Sequence, residues 1–311
     1  MRIAVLREPQ RFEIEDVPVP EPGRDEVLLR VVGCGVCASE LETWSNGPAG
    51  DEAWYPGHEV GGVVTALGDG VERLAVGDRV GVWVTERGYA EHVAVRADRC
   101  FPAGGGPLDA ALAEPVACAT NAVELADVRL GDDVVVIGAG FMGQLVQRLV
   151  ALRGPRSLVV VDVREDARAH AAAAGATRVV DPAHEQLPRD ADITFECTGT
   201  QAALTACGET TRMSGKIAIV GFHQGARREL PLGYWNWMAF SILNAHFRDL
   251  PTILRGMDAG MRLVSSGQLS LDGLVTHRFP LERIDEAFAT LRDKPPGFVK
   301  AVISLPEGEG G

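Results

Sequence analysis

The stretch 133–143, DVVVIGAGFMG, constrains this chain more than any other. An apolar run, VVVI, leads without interruption into three glycines, and these lead into QLVQRLVAL, whose apolar positions recur at helical spacing. A short continuous apolar run bounded by turn residues predicts a strand buried on both faces, which needs helices on both sides of a parallel sheet. The residues that follow keep the alternation: SLVVVDV, REDARAHAAAAGA, RVVD, DITFECTG, a helical stretch near 200–213, and GKIAIVG. Strand and helix in turn predict βαβ units, so 115–243 is expected to be a doubly wound α/β domain of the Rossmann type.

Within that frame GAGFMG is a G-x-G-x-x-G motif. Alone it is weak evidence, because glycine supplies 36 of the 311 residues. The strand before it and the helix after it give it meaning. Gly138 permits a tight turn, Gly140 lets backbone approach a pyrophosphate, and Gly143 lets helix pack on strand, with Phe141 and Met142 between them. The helix start then offers free N–H groups and a positive dipole end to phosphates. Asp162, which ends the next strand, would accept ribose hydroxyls and repel a 2′-phosphate. That favours NAD(H) over NADP, although Arg164 nearby is a residue that suits NADP.

Residues 1–114 have another texture. RIAVL, EVLLRVVGCGV, EVGGVVTALG, DRVGVWV and AEHVAV are short Val- and Leu-rich runs separated by PEPGRD, GDG and VGD, which predicts a twisted, partly closed β-domain. After 244 comes a helix, DLPTILRGMDAGMRLVSSG, then LVTHRFPL, ERIDEAFATLR and GFVKAVISL, a strand-like ending expected to rejoin the first domain. The expected domains are therefore 1–114 with 244–311, and 115–243. The tail PEGEGG is expected to be disordered. A net charge of −13 speaks against nucleic acid and anionic membranes as partners. The longest apolar-rich run, 134–152, is broken by Gln144, Gln147 and Arg148, so it is a poor membrane span. With no apolar leader in MRIAVLREPQ and six scattered cysteines, a reducing cytoplasm is the expected compartment.

The β-rich part also holds a polar constellation. GCGVCASELE (33–42) carries Cys34 and Cys37, PGHEVGG carries His58 and Glu59, and LAEPVACAT carries Glu114 and Cys118. One thiolate, one imidazole and one or two carboxylates match a tetrahedral zinc site of mixed donors, and a catalytic zinc keeps one position open.

The order GCGVCASE, PGHEVGGVV, GDRV, GYAEH, AEPVACATNAVE, VVVIGAGFMG, DITFECTG, GKIAIVG and THRFPLERIDEAFA resembles the zinc-dependent medium-chain dehydrogenase/reductase family over essentially the whole chain. The likeness is strongest to its polyol, sugar-alcohol and threonine dehydrogenase branch. It implies a GroES-like β-barrel domain that holds zinc, a Rossmann domain that holds the nicotinamide cofactor, and an active site in the cleft. It further implies that Cys37 and His58 are metal ligands, with Glu114 as a further carboxylate ligand. Glu59 would be the adjacent acid that approaches the metal as ligands exchange. Glu40 would hydrogen-bond the His58 ring, and Ser39 would bond the substrate oxygen and pass its proton outward. Val220–Phe222 would face the nicotinamide, and Lys300 would reach the pyrophosphate. The implied reaction is hydride transfer between NAD(H) and a secondary alcohol or ketone of polyol, sugar or cyclitol type. A homodimer or homotetramer through an edge strand near SILNAHF is implied as well.

Two departures from the family stand out. Only GVWVTER separates GDRV from GYAE, where many members carry a four-cysteine lobe around a structural zinc. One zinc per chain at most is therefore expected, with a more open cleft lined by Trp83 and Phe101. Glu42 stands where the family often places a relay histidine; it is a candidate proton relay or a solvated acid. Cys118, about one helical turn beyond Glu114, is an alternative ligand or a packing residue. Some of Trp44, Trp54, Tyr55, Trp235 and Trp237 are expected to supply pocket wall, with Trp235 and Trp237 alternatively at a subunit interface. Three other functions stay open: a zinc-free double-bond reductase, zinc-assisted cyclisation or elimination, and a dithiol redox protein using Cys34 and Cys37. The last would require Cys34 at a helix start.

Overall fold

Short apolar runs at the start of the chain become short antiparallel strands. β1 (Arg2–Glu8) and β2 (Arg11–Asp16) pair with each other. β3 (Glu26–Gly35) is followed by the short helix α1 (Leu41–Asn46), then β4 (Glu59–Leu67), β5 (Arg79–Trp83), β6 (His92–Arg96) and β7 (Cys100–Pro102). β3 is half-buried on alternate residues at first and wholly buried from Val31 onward. It lies centrally: β4 runs along one edge and β6 along the first half of the other. This computed structural model describes residues 1–50, 52–225 and 227–306, so residues 307–311 of the expected disordered tail lie outside it.

α2 (Ala113–Ala126) leads into the alternating part. There follow β8 (Asp133–Ile137), α3 (Phe141–Ala151), β9 (Ser157–Val161), α4 (Glu165–Ala173), β10 (Arg178–Val180), β11 (Ala191–Glu196), α5 (Gln201–Thr210), β12 (Thr211–Ile219), α6 (Leu232–Trp237) and β13 (Ser241–Asn244). The six strands form one sheet in the order β10-β9-β8-β11-β12-β13, and every pairing in it is parallel. This is the order of a doubly wound dinucleotide-binding sheet, with its switch point between β8 and β11. VVVI of β8 is buried on both faces.

α7 (Leu250–Ser265) then brings the chain back, and β14 (Val275–Phe279), α8 (Ile284–Asp293) and β15 (Lys300–Ser304) complete the first sheet. β15 pairs with the second half of β3, giving the order β14-β15-β3-β4-β5-β7 with β6 also on β3. In α8, Ile284, Ala287, Phe288 and Leu291 recur at helical spacing and are all buried. Phe288 sits among Phe12, Trp44 and Tyr89, with ring centroids 5.3, 5.6 and 5.9 Å away. Each such side chain contributes about 1.5–3 kcal/mol by leaving water.

By its internal contacts the chain divides into two compact units, Met1–Ala117 with the residues from Met257 onward, and Cys118–Gly256. The second limit lies beyond the expected 243/244. β13 pairs with β12, and Asn121 Nδ2 donates to Thr252 O at 3.0 Å, which keeps β13 and the start of α7 with the second unit. Among the described residues no helix is long and apolar enough to cross a membrane.

Candidate active site

In GCGVCASELE the two cysteines have different surroundings. Cys34 lies within β3, fully buried, and burial pushes its thiol well above the usual range. A reactive dithiol needs the opposite environment. Cys37 follows the strand in extended conformation and precedes a single 3₁₀ turn, Ala38–Glu40. Residues three apart eclipse on such a turn, so Glu40 folds back beneath Cys37, its N–H donating to Cys37 O at 3.1 Å. Ser39 points outward, with its hydroxyl donating to Cys37 Sγ at 3.2 Å. Glu42 is exposed on the first turn of α1.

Glu40 is buried and fully engaged. Oε1 accepts from Gly57 N at 2.9 Å and lies 3.0 Å from His58 Nδ1, while Oε2 accepts from the Tyr89 hydroxyl at 2.6 Å. Burial disfavours the carboxylate, but the bonds from His58, Tyr89 and Gly57 outweigh it and hold Glu40 below the usual range. Burial also pushes the Tyr89 phenol well up, so it stays a donor. Burial alone would depress the His58 imidazolium; hydrogen bonds to Cys37 and Glu40 overcome that and raise it to about 12. With Nδ1 committed to Glu40, Nε2 is the ring nitrogen left for a metal.

Cys37 Sγ, a His58 ring nitrogen and a Glu59 carboxylate oxygen all lie within 4.8 Å of one another. A thiolate, an imidazole and a carboxylate converging at this spacing fit a zinc ion, and the Glu40 bond supplies the outer support such ligands need. Glu59 opens β4 fully buried, and Lys300 Nζ stands 2.7 Å from both of its carboxylate oxygens. Gly35 makes that pairing possible, since a Cβ there would overlap Glu59 Oε2 and lie 3.0 Å from Lys300 Cε.

Lys300, a residue only 4% exposed, is held in an ion pair with Glu59. Burial opposes its charge, but Glu59 and Cys37 hold its pKa above the usual value. Glu114, half-buried on the first turn of α2, contributes to the field on Lys300, yet its carboxylate stands outside the cluster of Cys37, His58 and Glu59. Cys118 also stands outside that cluster.

The glycine-rich turn of the second unit is built as its spacing demands. Gly138 has φ +100°, in the region that favours glycine, and its N–H donates to Val161 O at 2.8 Å. A Cβ on Gly143 would overlap Gly138 O, whereas a Cβ on Gly140 would meet nothing within 4 Å. That open space beside the N-cap of α3, which has no side-chain cap, is where backbone N–H groups can receive a phosphate. Phe141 and Met142 form the half-buried first turn. Asp162, just past β9, accepts Ala139 N at 2.7 Å on Oδ2 and Arg164 N at 2.8 Å on Oδ1. Each oxygen keeps a lone pair for a ribose hydroxyl. The donors and acceptors present therefore fit a nicotinamide dinucleotide.

The aromatic side chains differ in their surroundings. Trp44 is core, its Nε1 donating to Asp285 Oδ1 at 3.0 Å. Trp235 is 2% exposed and packs in the core of the second unit, where Gly208 leaves room for its indole. Phe101 is buried in β7 opposite Gly81, and Trp83 carries the Arg99 guanidinium 4.9 Å from its ring. Trp237, by contrast, is 76% exposed. Tyr89, which holds Glu40, was not anticipated; the tyrosine in GYAEH was the available signal.

Comparison with known proteins adds to this geometry. The family model for the alcohol dehydrogenase GroES-like domain matches residues 23–127, and that for zinc-binding dehydrogenase matches residues 142–251. The chain is 28% identical to sorbitol dehydrogenase of Gallus gallus over 339 residues, 90% of each chain. Among solved structures it resembles an oxidoreductase/dehydrogenase of unknown specificity from Escherichia coli, with a TM-score of 0.86, 25% identity, and coverage of 98% of this chain and 99% of that one. A zinc-binding dehydrogenase fold from Sinorhizobium meliloti, bound to NADP, superposes with a TM-score of 0.85 at 22% identity, covering 98% of this chain and 99% of that one.

Proposed function

We propose, from the premise that this chain belongs to the zinc-type medium-chain dehydrogenase/reductase family, that it is a zinc- and NAD(H)-dependent dehydrogenase interconverting a secondary alcohol and a ketone of polyol, sugar or cyclitol type. The observation that carries this is the convergence of Cys37, His58 and Glu59 within 4.8 Å, with Glu40 behind His58. Cys37 and His58 would hold one zinc, with Glu59 or Glu114 as the carboxylate that would complete its protein ligands. When bound, zinc supplies Lewis acidity to a substrate oxygen, and the nicotinamide accepts or returns hydride.

The chain's own residues supply orientation and proton transfer. Glu40 fixes the His58 tautomer and ring plane through Nδ1, and Tyr89 fixes Glu40 in turn. The Ser39 hydroxyl, beside Cys37 Sγ, takes the substrate hydroxyl proton and passes it outward, with the exposed Glu42 as exit. In the second unit Gly138–Gly143 receive the pyrophosphate, Asp162 receives the ribose, and Val220 lies along the nicotinamide. Asp162 favours NAD over NADP, because a 2′-phosphate would meet a carboxylate. The outer edge of β13, near the exposed Trp237 and Ile242, supports pairing with a second copy.

The test is metal content together with NADH and NADPH turnover on a panel of polyols and ketones, for the wild type and for Cys37→Ser. Stoichiometric zinc and NAD-linked turnover are expected in the wild type, and loss of both in the variant. Zinc without hydride transfer on any substrate would favour cyclisation or elimination chemistry. Zinc retained by Cys37→Ser would remove the ligand assignment.

A further inference from the structure

The C-terminal ends of β11 and β12 carry a polar array that the proposed reaction does not yet use. Glu196, the last residue of β11, is 0% exposed at the end of an apolar strand. Its Oε1 accepts from Thr198 N at 2.8 Å, Thr198 Oγ1 at 2.7 Å and Gly199 N at 2.9 Å. Oε2 lies 3.0 Å from His223 Nε2. The other ring nitrogen, Nδ1, accepts from Arg228 Nε at 3.0 Å. A guanidinium only donates, so the imidazole proton sits on Nε2 and points at Glu196. Arg228 also donates to Gly199 O at 2.9 Å and Gln224 O at 3.1 Å.

The array is anchored to one piece of backbone. The main-chain carbonyl of Glu196 accepts from Val220 N at 2.8 Å and Gly221 N at 2.9 Å. A Cβ on Gly221 would overlap Gly199 N and lie 2.5 Å from Glu196 Oε2, so the two turns are in direct contact. Just past β13, His246 Nε2 donates to Gly221 O at 3.2 Å, and its ring lies 5.7 Å from that of Phe222. Segment 220–222 is thus held by Glu196 below, by His223 and Arg228 along the loop, and by His246 beside it.

Sheet order says what lies over that segment. The glycine-rich turn ends β8, and Asp162, the ribose acceptor, follows β9 on one side of it. A dinucleotide whose adenosine half runs toward β9 must send its other half the opposite way, over the ends of β11 and β12. We infer that Glu196, His223 and Arg228 are positioning residues that fix the 220–222 backbone for the nicotinamide half of the cofactor. This inference rests on the dehydrogenase reading given above. Both ring nitrogens of His223 are engaged within the array, so it acts through the backbone it holds. A buried carboxylate costs several kcal/mol unless it is fully paired. A fully satisfied network of this kind gives its loop one conformation, which is what a backbone contact to a ligand requires.

The experiment compares dissociation constants for NADH and for ADP-ribose, which lacks the nicotinamide, with thermal midpoints measured alongside. His223→Ala is expected to weaken NADH about tenfold, the scale of one or two lost hydrogen bonds, while ADP-ribose stays within about twofold. His223→Gln keeps one donor and one acceptor and should recover most of the NADH affinity. Arg228→Met removes the donor to Nδ1 together with those to Gly199 O and Gln224 O but leaves Glu196 and His223 paired, and should give the same split more weakly, which keeps the test decisive if His223→Ala folds poorly. Equal weakening of both ligands, or no change in either, overturns the array's role. A wild type that binds neither ligand overturns the dinucleotide reading itself, and the array's assignment with it.

Discussion

The candidate metal site of the first unit, Cys37, His58 and Glu59 with Tyr89 and Lys300 behind them, is gathered from four separate stretches of chain, whereas the turn of the second unit takes Gly138, Gly143 and Asp162 from a single βαβ unit. Lys300 meets Glu59 across 241 residues, and Tyr89 meets Glu40 across 49. Asp162 reaches Ala139 across only 23. A local site inherits its geometry from backbone conformation, while a dispersed one inherits it from the packing of the whole sheet and from side chains that neutralise each other. Their failure modes should therefore differ.

The largest expected effect comes from Lys300→Met. It leaves the Glu59 carboxylate buried without its partner, a change that costs about 3–5 kcal/mol. Urea midpoints should fall accordingly, and Lys300→Met combined with Glu59→Gln should recover much of the loss. Non-recovery would mean that the pair is not the source of the cost. Gly138→Ala comes next, at about 1–3 kcal/mol, because φ of +100° is strained for any residue with a Cβ. Its signature is local: NADH binding fails while zinc content stays stoichiometric. If zinc also falls, the two sites are coupled and the contrast between them weakens. Tyr89→Phe removes only the hydroxyl that fixes Glu40. Chelator competition should show zinc affinity lower by about tenfold, the low end for an outer support, with little change in NADH affinity.

The same contrast governs how much was legible in the sequence. VVVI followed by GAGFMG announced strand, turn and helix, because each glycine role is a property of neighbouring residues. Cys37, His58 and Glu40 were reached through family resemblance, and the structure brings them together. The partner of Lys300 was not legible, since nothing near GFVKAVISL says that β15 lies against β3 and the start of β4. Gly35, which leaves room for that pair, reads in sequence only as one glycine of the strand-like run EVLLRVVGCGV. Trp235 was misplaced for a similar reason: YWNWM gives two tryptophans two residues apart on a short helix, and only the gap at Gly208 decides which one is buried. Glu196 ended an apolar strand in plain view, but its meaning depends on His223, 27 residues further on.

The smallest expected effect tests whether the second unit has a weak point that pH can reach. Asp192, near the start of β11, accepts Asp133 N from β8 at 2.8 Å and Arg212 Nε from β12 at 2.7 Å, so it stitches three adjacent strands. Burial disfavours its charge, but the Asp133 N–H and Arg212 outweigh that and hold its carboxyl below the usual range. A folded pKa below the unfolded one contributes stability that is complete above the unfolded value, about 3.9, and drains away as pH falls through the folded value. Asp192→Asn should therefore cost about 1 kcal/mol at pH 7, and wild type and variant should converge as pH falls below the unfolded value and on through the lower folded one. Urea titrations at a series of pH values measure that convergence. A difference that persists undiminished in acid would mean that Asp192 acts through packing and not through its charge.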